Sequence, residues 1–168
     1  AQSRPTAEQR ANAQYLVANE HLQRGDAEAS ERTLLSAAET AETVENARAL
    51  AEFYLRVVNR PEKAGEWYAK AAERARRMKS PLLPTLLEAD IACSLHRNVN
   101  DIERARKDVE ELRTGFPDYV RGLLWESEIR ARTGDMDRAI ASLTDYLAKR
   151  PNDPNALYQR ARHQVARG

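Results

Sequence analysis

Three histidines, one cysteine and two close pairs of acids are the residues of this chain whose types could support chemistry. His21, His96 and His163 could move protons near neutral pH or ligate a metal, and Glu110 with Glu111, or Asp135 with Asp137, could divide acid and base work. Their spacing argues against each use. There is no H-E-x-x-H pair, no glycine-rich phosphate loop and no strand pattern to present one. A single cysteine, Cys93, can form no internal disulfide and supplies no metal-ligand cluster, so redox context stays open. The paired acids fall on helix surfaces or in caps, where solvation accounts for them. No catalytic, cofactor-binding or metal-binding residue is assigned, and no enzyme is expected.

Arginine dominates the basic residues, which could signal phosphate recognition. The 27 Lys and Arg are nearly matched by 26 Asp and Glu, and no third of the chain has the excess of a nucleic-acid footprint. Solvated helix faces explain the arginines better. The 42% hydrophobic content is rich in alanine, which favours helices. No apolar run approaches the roughly 20 residues of a membrane span, so no direct membrane insertion is expected. The start "AQSRPTAEQR" lacks a methionine, as in a cleaved mature chain or a piece of something longer. Both a cytoplasmic and a periplasmic setting fit.

The elements that must position any site announce themselves by repetition. A turn-forming residue or two, followed by a small residue, recurs in "QRGDAEAS", "VNRPEKAG", "NVNDIERA" and "TGDMDRAI", and the small residues Ser30, Ala64, Ala105 and Ala139 lie 34, 41 and 34 apart. A fixed interval near 34 is the signature of a helix-turn-helix array. Units start at 11, 45, 86 and 120, a partial fifth begins at Pro154, and residues 1–10 read as a polar extension. Small side chains suit close helix crossings at Ala18, Cys93, Ser127 and Ala161 in the first helices, and at the aligned alanines in the second. Gly25 and Gly134 can end first helices in the left-handed conformation, with Asn59 and Asn100 in the same place, and Asp26 and Asp135 can cap the second helices. Pro117 and Pro151 stop second helices. The interval of 41 places seven extra residues around "ARRMKSPLLPT", where a helix should end near Lys79 or Ser80 and Pro84 should open the next. The expectation is that both flanking helices are about a turn longer than usual.

These residues resemble the tetratricopeptide repeat, best in the second halves "AGEWYAKA" and "AIASLTDYLAKRP". In the first halves Gln14, Arg48, Ala89, Leu123 and Leu157 replace the family's tryptophan, and His21 and His96 take the place of its tyrosine, which implies packing between helices. The stretch "EKAGEWYAKAAE" also resembles a Sel1-like repeat. The resemblance implies an all-α, right-handed α-solenoid of about four and a half units. Solenoids of this type bind along the inner surface lined by first helices. Projected onto this chain, that surface includes Asn12, Asn46, Ala49 and Arg121, and its expected partner-binding groove is Tyr15, Asn19, Phe53, Arg56, Asp90, Arg97, Leu124, Glu128 and Arg132. The clamp by which many members hold acidic chaperone tails is matched only at Asn19. Tyr15, Leu50, Leu87 and Ile91 stand at its other positions, so no such tail is expected to bind.

Two functions from different classes are compatible with this reading. One is a protein–protein interaction scaffold that holds a peptide or helical segment of a partner; the other is a structural spacer or oligomerisation segment of a larger multi-repeat chain. A protein or peptide partner, no nucleic acid, no cofactor, and a homo-oligomer or larger parent chain are the corresponding expectations.

Overall fold

The computed structural model describes residues 4–168, and among them are nine α-helices and no strand. In order they are α1 (Ala7–Gln23), α2 (Ala27–Thr40), α3 (Val44–Arg56), α4 (Pro61–Arg77), α5 (Leu83–Ser94), α6 (Ile102–Gly115), α7 (Gly122–Arg132), α8 (Met136–Lys149) and α9 (Pro154–Arg167). The repeat reading of an all-α, tetratricopeptide-like fold holds. Packing divides the chain into two units, one ending at Val99 and the other beginning at Asn100. The division falls inside the third sequence unit, with α1–α5 in the first packing unit and α6–α9 in the second.

Local chemistry sets the helix ends. The side chains of Asp26, Asp101, Asp135 and Asp153 accept hydrogen bonds from the first-turn amides of α2, α6, α8 and α9, and Thr6 and Thr43 do the same for α1 and α3. Gly25 and Gly134 stand at φ +80° and +83°, and Asn59 and Asn100 at 54° and 49°. After Gly25 and Gly134, the next amides reach back to carbonyls in the last turn, Asp26 N to His21 O at 2.9 Å and Asp135 N to Arg130 O at 2.9 Å. Lys79 adopts the same conformation at φ 51°, with Ser80 N donating to Ala75 O at 2.8 Å. Nothing in a lysine signals that role.

In the first unit α1 packs on α2, α3 on both α2 and α4, and α5 on α4. The crossings are closed by small side chains: Ala18, Ser30, Ala64 and Cys93 are all buried. In the second unit α7 packs on α6 and α8, and α9 on α8. There Ser127 is buried and donates to the Ala139 carbonyl at 2.9 Å, joining α7 to α8. Leu123, Leu143, Tyr146, Leu147 and Ala156 form its core cluster, with Leu124 packed against it.

Three expectations need correction. Helix α4 is long, at 17 residues against 14 for α2, α6 and α8, but α5 has only 12 and is not extended. The other extra residues lie in the segments 78–82 and 95–101, because the left-handed Lys79 ends α4 and Pro84 can enter α5 only in its first turn. Residues 7–10 are helical, since Thr6 and Gln9 form a reciprocal capping box; residues 1–3 of the expected extension lie outside the described residues. Ala161 is exposed rather than at a crossing, because α9 packs chiefly on α8 and the Ala161 side faces away from it.

Candidate functional site

The first helices α1 and α3 enclose a cleft of about 250 Å³ in the first unit. Asn12 and Tyr15 come from α1; Glu45, Asn46, Arg48, Ala49 and Glu52 come from α3. Both sets lie on one face of their helix, as spacings of three and four require. Tyr15 is 41% exposed at this cleft. Arg48 and Glu52 pair at 3.6 Å along α3, which leaves charges of both signs beside an amide and a phenol.

The wall supplied by α3 is held at two places. At its start, the Asn46 side chain donates to the carbonyls of Ala41 at 2.8 Å and Ala37 at 3.3 Å, and Arg74 of α4 donates to the Thr43 carbonyl at 2.9 Å. The chain end of α2 is thereby lashed to α3 and α4. Farther along, the Tyr54 phenol donates to Glu31 at 2.6 Å, and Lys63 lies 4.9 Å from the Tyr54 ring centre and 3.9 Å from Glu31. Burial first, and then the Glu31 hydrogen bond, push the Tyr54 phenol well above its ordinary range. Such fixed side chains favour a preformed site.

The residues expected to line the groove fare unequally. Tyr15 lies at the cleft with the projected neighbours Asn12, Asn46 and Ala49, whereas Asn19 is half-buried on α1 and outside the lining. Phe53 is only 4% exposed and packs edge-on against Tyr54 at 5.6 Å between ring centres, so it is core in this fold and not an open anchor. Asp90 is 2% exposed and likewise presents no open surface. The reason is neighbours: α3 is packed from both α2 and α4, so its ninth position, which is half-open in α1, is closed. Arg56 and Arg97 are exposed in the first unit. In the second, Leu124 is half-buried on the core and Glu128 pairs with Arg132 at 2.7 Å.

The projection missed Glu45, Arg48 and Glu52. Arg48 stands where the family has tryptophan and Glu52 where it has a small residue, so the departures from the repeat pattern were the signal that a surface opens there. The clamp positions Leu50, Leu87 and Ile91 are fully buried, which leaves them no contact with a tail.

The histidines differ in burial. His96 is half-buried, its Nδ1 accepting from the Asn98 amide at 3.3 Å, and His21 is half-buried in the last turn of α1. His163, near the chain end, is buried at 3% exposure. Burial and then Arg162 hold its pKa below the ordinary value, opposed by Glu128. Asp135 caps α8 and Asp137 pairs with Arg167 at 3.0 Å. Among the described residues no three of His, Cys, Asp and Glu gather as a metal site, and no helix is long and apolar enough to cross a membrane.

No protein-family model matches the chain, and no curated protein matches its sequence. Solved structures do. The chain is similar to that of the MamA protein, with a TM-score of 0.72 at 13% identity over 94% of this chain and 82% of that one. It is similar to PilF of Pseudomonas aeruginosa, with a TM-score of 0.68 at 19% identity over 96% of this chain and 70% of that one. A third is PilW, described as a widely conserved type IV pilus biogenesis factor, with a TM-score of 0.52 at 12% identity over 92% of each chain. At these identities the likeness is one of fold, an all-helical tetratricopeptide-like repeat.

Proposed function

We propose that the chain is a protein–protein interaction scaffold whose α1/α3 cleft receives a segment of a partner protein. The observation that carries this reading is Tyr15, exposed at a cleft whose other wall is pinned through Asn46. At about 250 Å³ the cleft is below the usual range of small-molecule pockets and suits one or two side chains of a peptide. Tyrosine is a frequent anchor in such contacts because it offers a large amphipathic surface at little entropy cost. The Arg48–Glu52 pair and Glu45 favour a partner with an apolar or amide side chain flanked by charges of both signs.

A photo-crosslinking residue placed at Asn12, beside Tyr15 in the cleft, tests this in an extract of the source organism. The expected result is one crosslinked protein that Arg48→Glu suppresses and Lys70→Ala does not, since Lys70 lies on α4 with its ammonium 3.9 Å from the Trp67 ring centre. Equal crosslinking in all three backgrounds would count against the cleft.

The spacer or oligomerisation reading is favoured by a separate observation. Helix α9 exposes Leu157, Tyr158 and Val165, the last at 82%, a stripe that a further helix or a second copy would cover. Light scattering decides: a concentration-dependent dimer that Val165→Glu abolishes supports this reading, and a monomer at every concentration removes self-association.

A further inference from the structure

The turn between α8 and α9 opens on a hollow of about 660 Å³ in the second unit. Val120 and Arg121 border it ahead of α7, Tyr146 and Lys149 belong to α8, and the turn from Arg150 to Pro154 closes it. Three cations, Arg121, Lys149 and Arg150, face one carboxylate, Asp153. That carboxylate is already engaged. It accepts from the Tyr146 phenol at 2.7 Å, the Asn155 amide at 3.0 Å and the Ala156 amide at 3.2 Å, so its charge serves the cap of α9. Among the described residues Lys149 and Arg150 enter no salt bridge, and both are exposed. The α6/α7 cleft is different: its Arg113 and Arg130 both reach Glu126, at 3.3 and 3.9 Å, and are neutralised where they stand. Apolar groups complete the α8–α9 hollow, with the two prolines of the turn and Val120 around the buried Tyr146 ring.

We propose that this hollow is a second docking site, which binds an acidic peptide segment. Its carboxylates pair with Lys149 and Arg150, and an apolar side chain sits against Val120 and the exposed Pro151 and Pro154. A guanidinium and a carboxylate form strong paired hydrogen bonds, and the uneven charge of the lining sets the sign of the ligand. A nucleic acid fits less well: it gains affinity from many phosphate contacts and from stacking on open aromatic rings, whereas the tyrosine here is buried. The site is independent of the α1/α3 cleft, which lies in the other unit.

Amide-resolved NMR of the full chain tests it, with a short capped peptide in which glutamates flank a leucine as the probe. Saturable shifts are expected at Asn152 and Asp153. Reversing charge with Lys149→Glu and Arg150→Glu should weaken binding by roughly tenfold or more, the scale of losing one or two charged hydrogen bonds. Tyr15→Ala should leave the affinity unchanged. The same peptide with lysine for glutamate should not bind. No saturable shift, shifts that survive the charge reversal, inorganic phosphate binding as tightly as the peptide, or tighter binding of a single-stranded oligonucleotide would each overturn the proposal.

Discussion

Phe53 and Tyr15 share the inner surface expected from the repeat pattern, yet the fold gives them opposite roles, and one pair of substitutions separates them. Phe53, on the α3 helix that packs on both α2 and α4, is 4% exposed, while Tyr15 is 41% exposed at the cleft. Truncating Phe53 to alanine forfeits the transfer energy of a buried ring, about 1.5–3 kcal/mol. It also leaves a cavity that the lashed α3 cannot collapse into, and the two terms together reach about 3–5 kcal/mol. Against a typical stability of roughly 5–15 kcal/mol, that is a large share. If the 168 residues unfold together, the midpoint should fall by roughly 6–20 °C, at about 2–4 °C per kcal/mol for a chain of this size. Tyr15→Ala should stay within about 0.5 kcal/mol of the parent, as surface changes usually do. Thermal and urea unfolding followed by circular dichroism measure both, and crosslinking through a probe at Asn12 reports partner capture by the folded fraction. The expected pattern is an unstable Phe53→Ala that still captures when folded, and a stable Tyr15→Ala that does not. A Phe53→Ala midpoint within about 2 °C of the parent, together with lost capture, would refute the core assignment and restore Phe53 as an anchor.

Asn46→Ala removes a second donor from the Ala37 and Ala41 carbonyls, which keep the backbone amides of Ala41 and Thr43; losing these side-chain hydrogen bonds should destabilise by about 0.5–1.5 kcal/mol in urea unfolding, and an unchanged midpoint would mean that the lash contributes nothing. Gly134→Ala meets no atom within 4 Å of the added methyl group, so its expected loss of about 1–2 kcal/mol would report the left-handed backbone alone; an unchanged midpoint would show the turn relaxing at no cost. Tyr68 is held by burial first, and then by the charges of Glu52 and Cys93, up to about 12. Its folded value lies above the unfolded value of about 10, so the stability it contributes is whole below pH ~10 and is lost as pH rises through that interval. Unfolding midpoints taken at successive alkaline pH values should therefore fall less steeply in Tyr68→Phe than in the parent, and identical slopes would exclude the phenol as the cause.

Much of this architecture is written locally in the chain. Gly25, Asn59, Asn100 and Gly134 mark turns because only such residues enter the left-handed region readily, and Asp26, Asp135, Pro117 and Pro151 bound helices by chemistry confined to one turn. The small residues Ala18, Ser30, Ala64 and Ser127 disclose where helices cross, since backbones can approach closely only where side chains are small, and all four are buried. The end of α4 near Lys79 or Ser80 is legible from the prolines that follow, but the positive φ of Lys79 is not, since lysine has no preference for that region. The candidate site was legible only in part, for a related reason. Sequence register places Asn19 and Phe53 at equivalent points of two first helices, but how much of that face stays open depends on how many neighbours press on it. Helix α1 packs on α2, whereas α3 is enclosed by α2 and α4, so one position remains half-open and the other becomes core. The same enclosure turns Arg48 and Glu52 toward the cleft beside Tyr15. Periodicity along a helix names a face; only the tertiary packing decides whether that face meets a partner, a neighbouring helix or water.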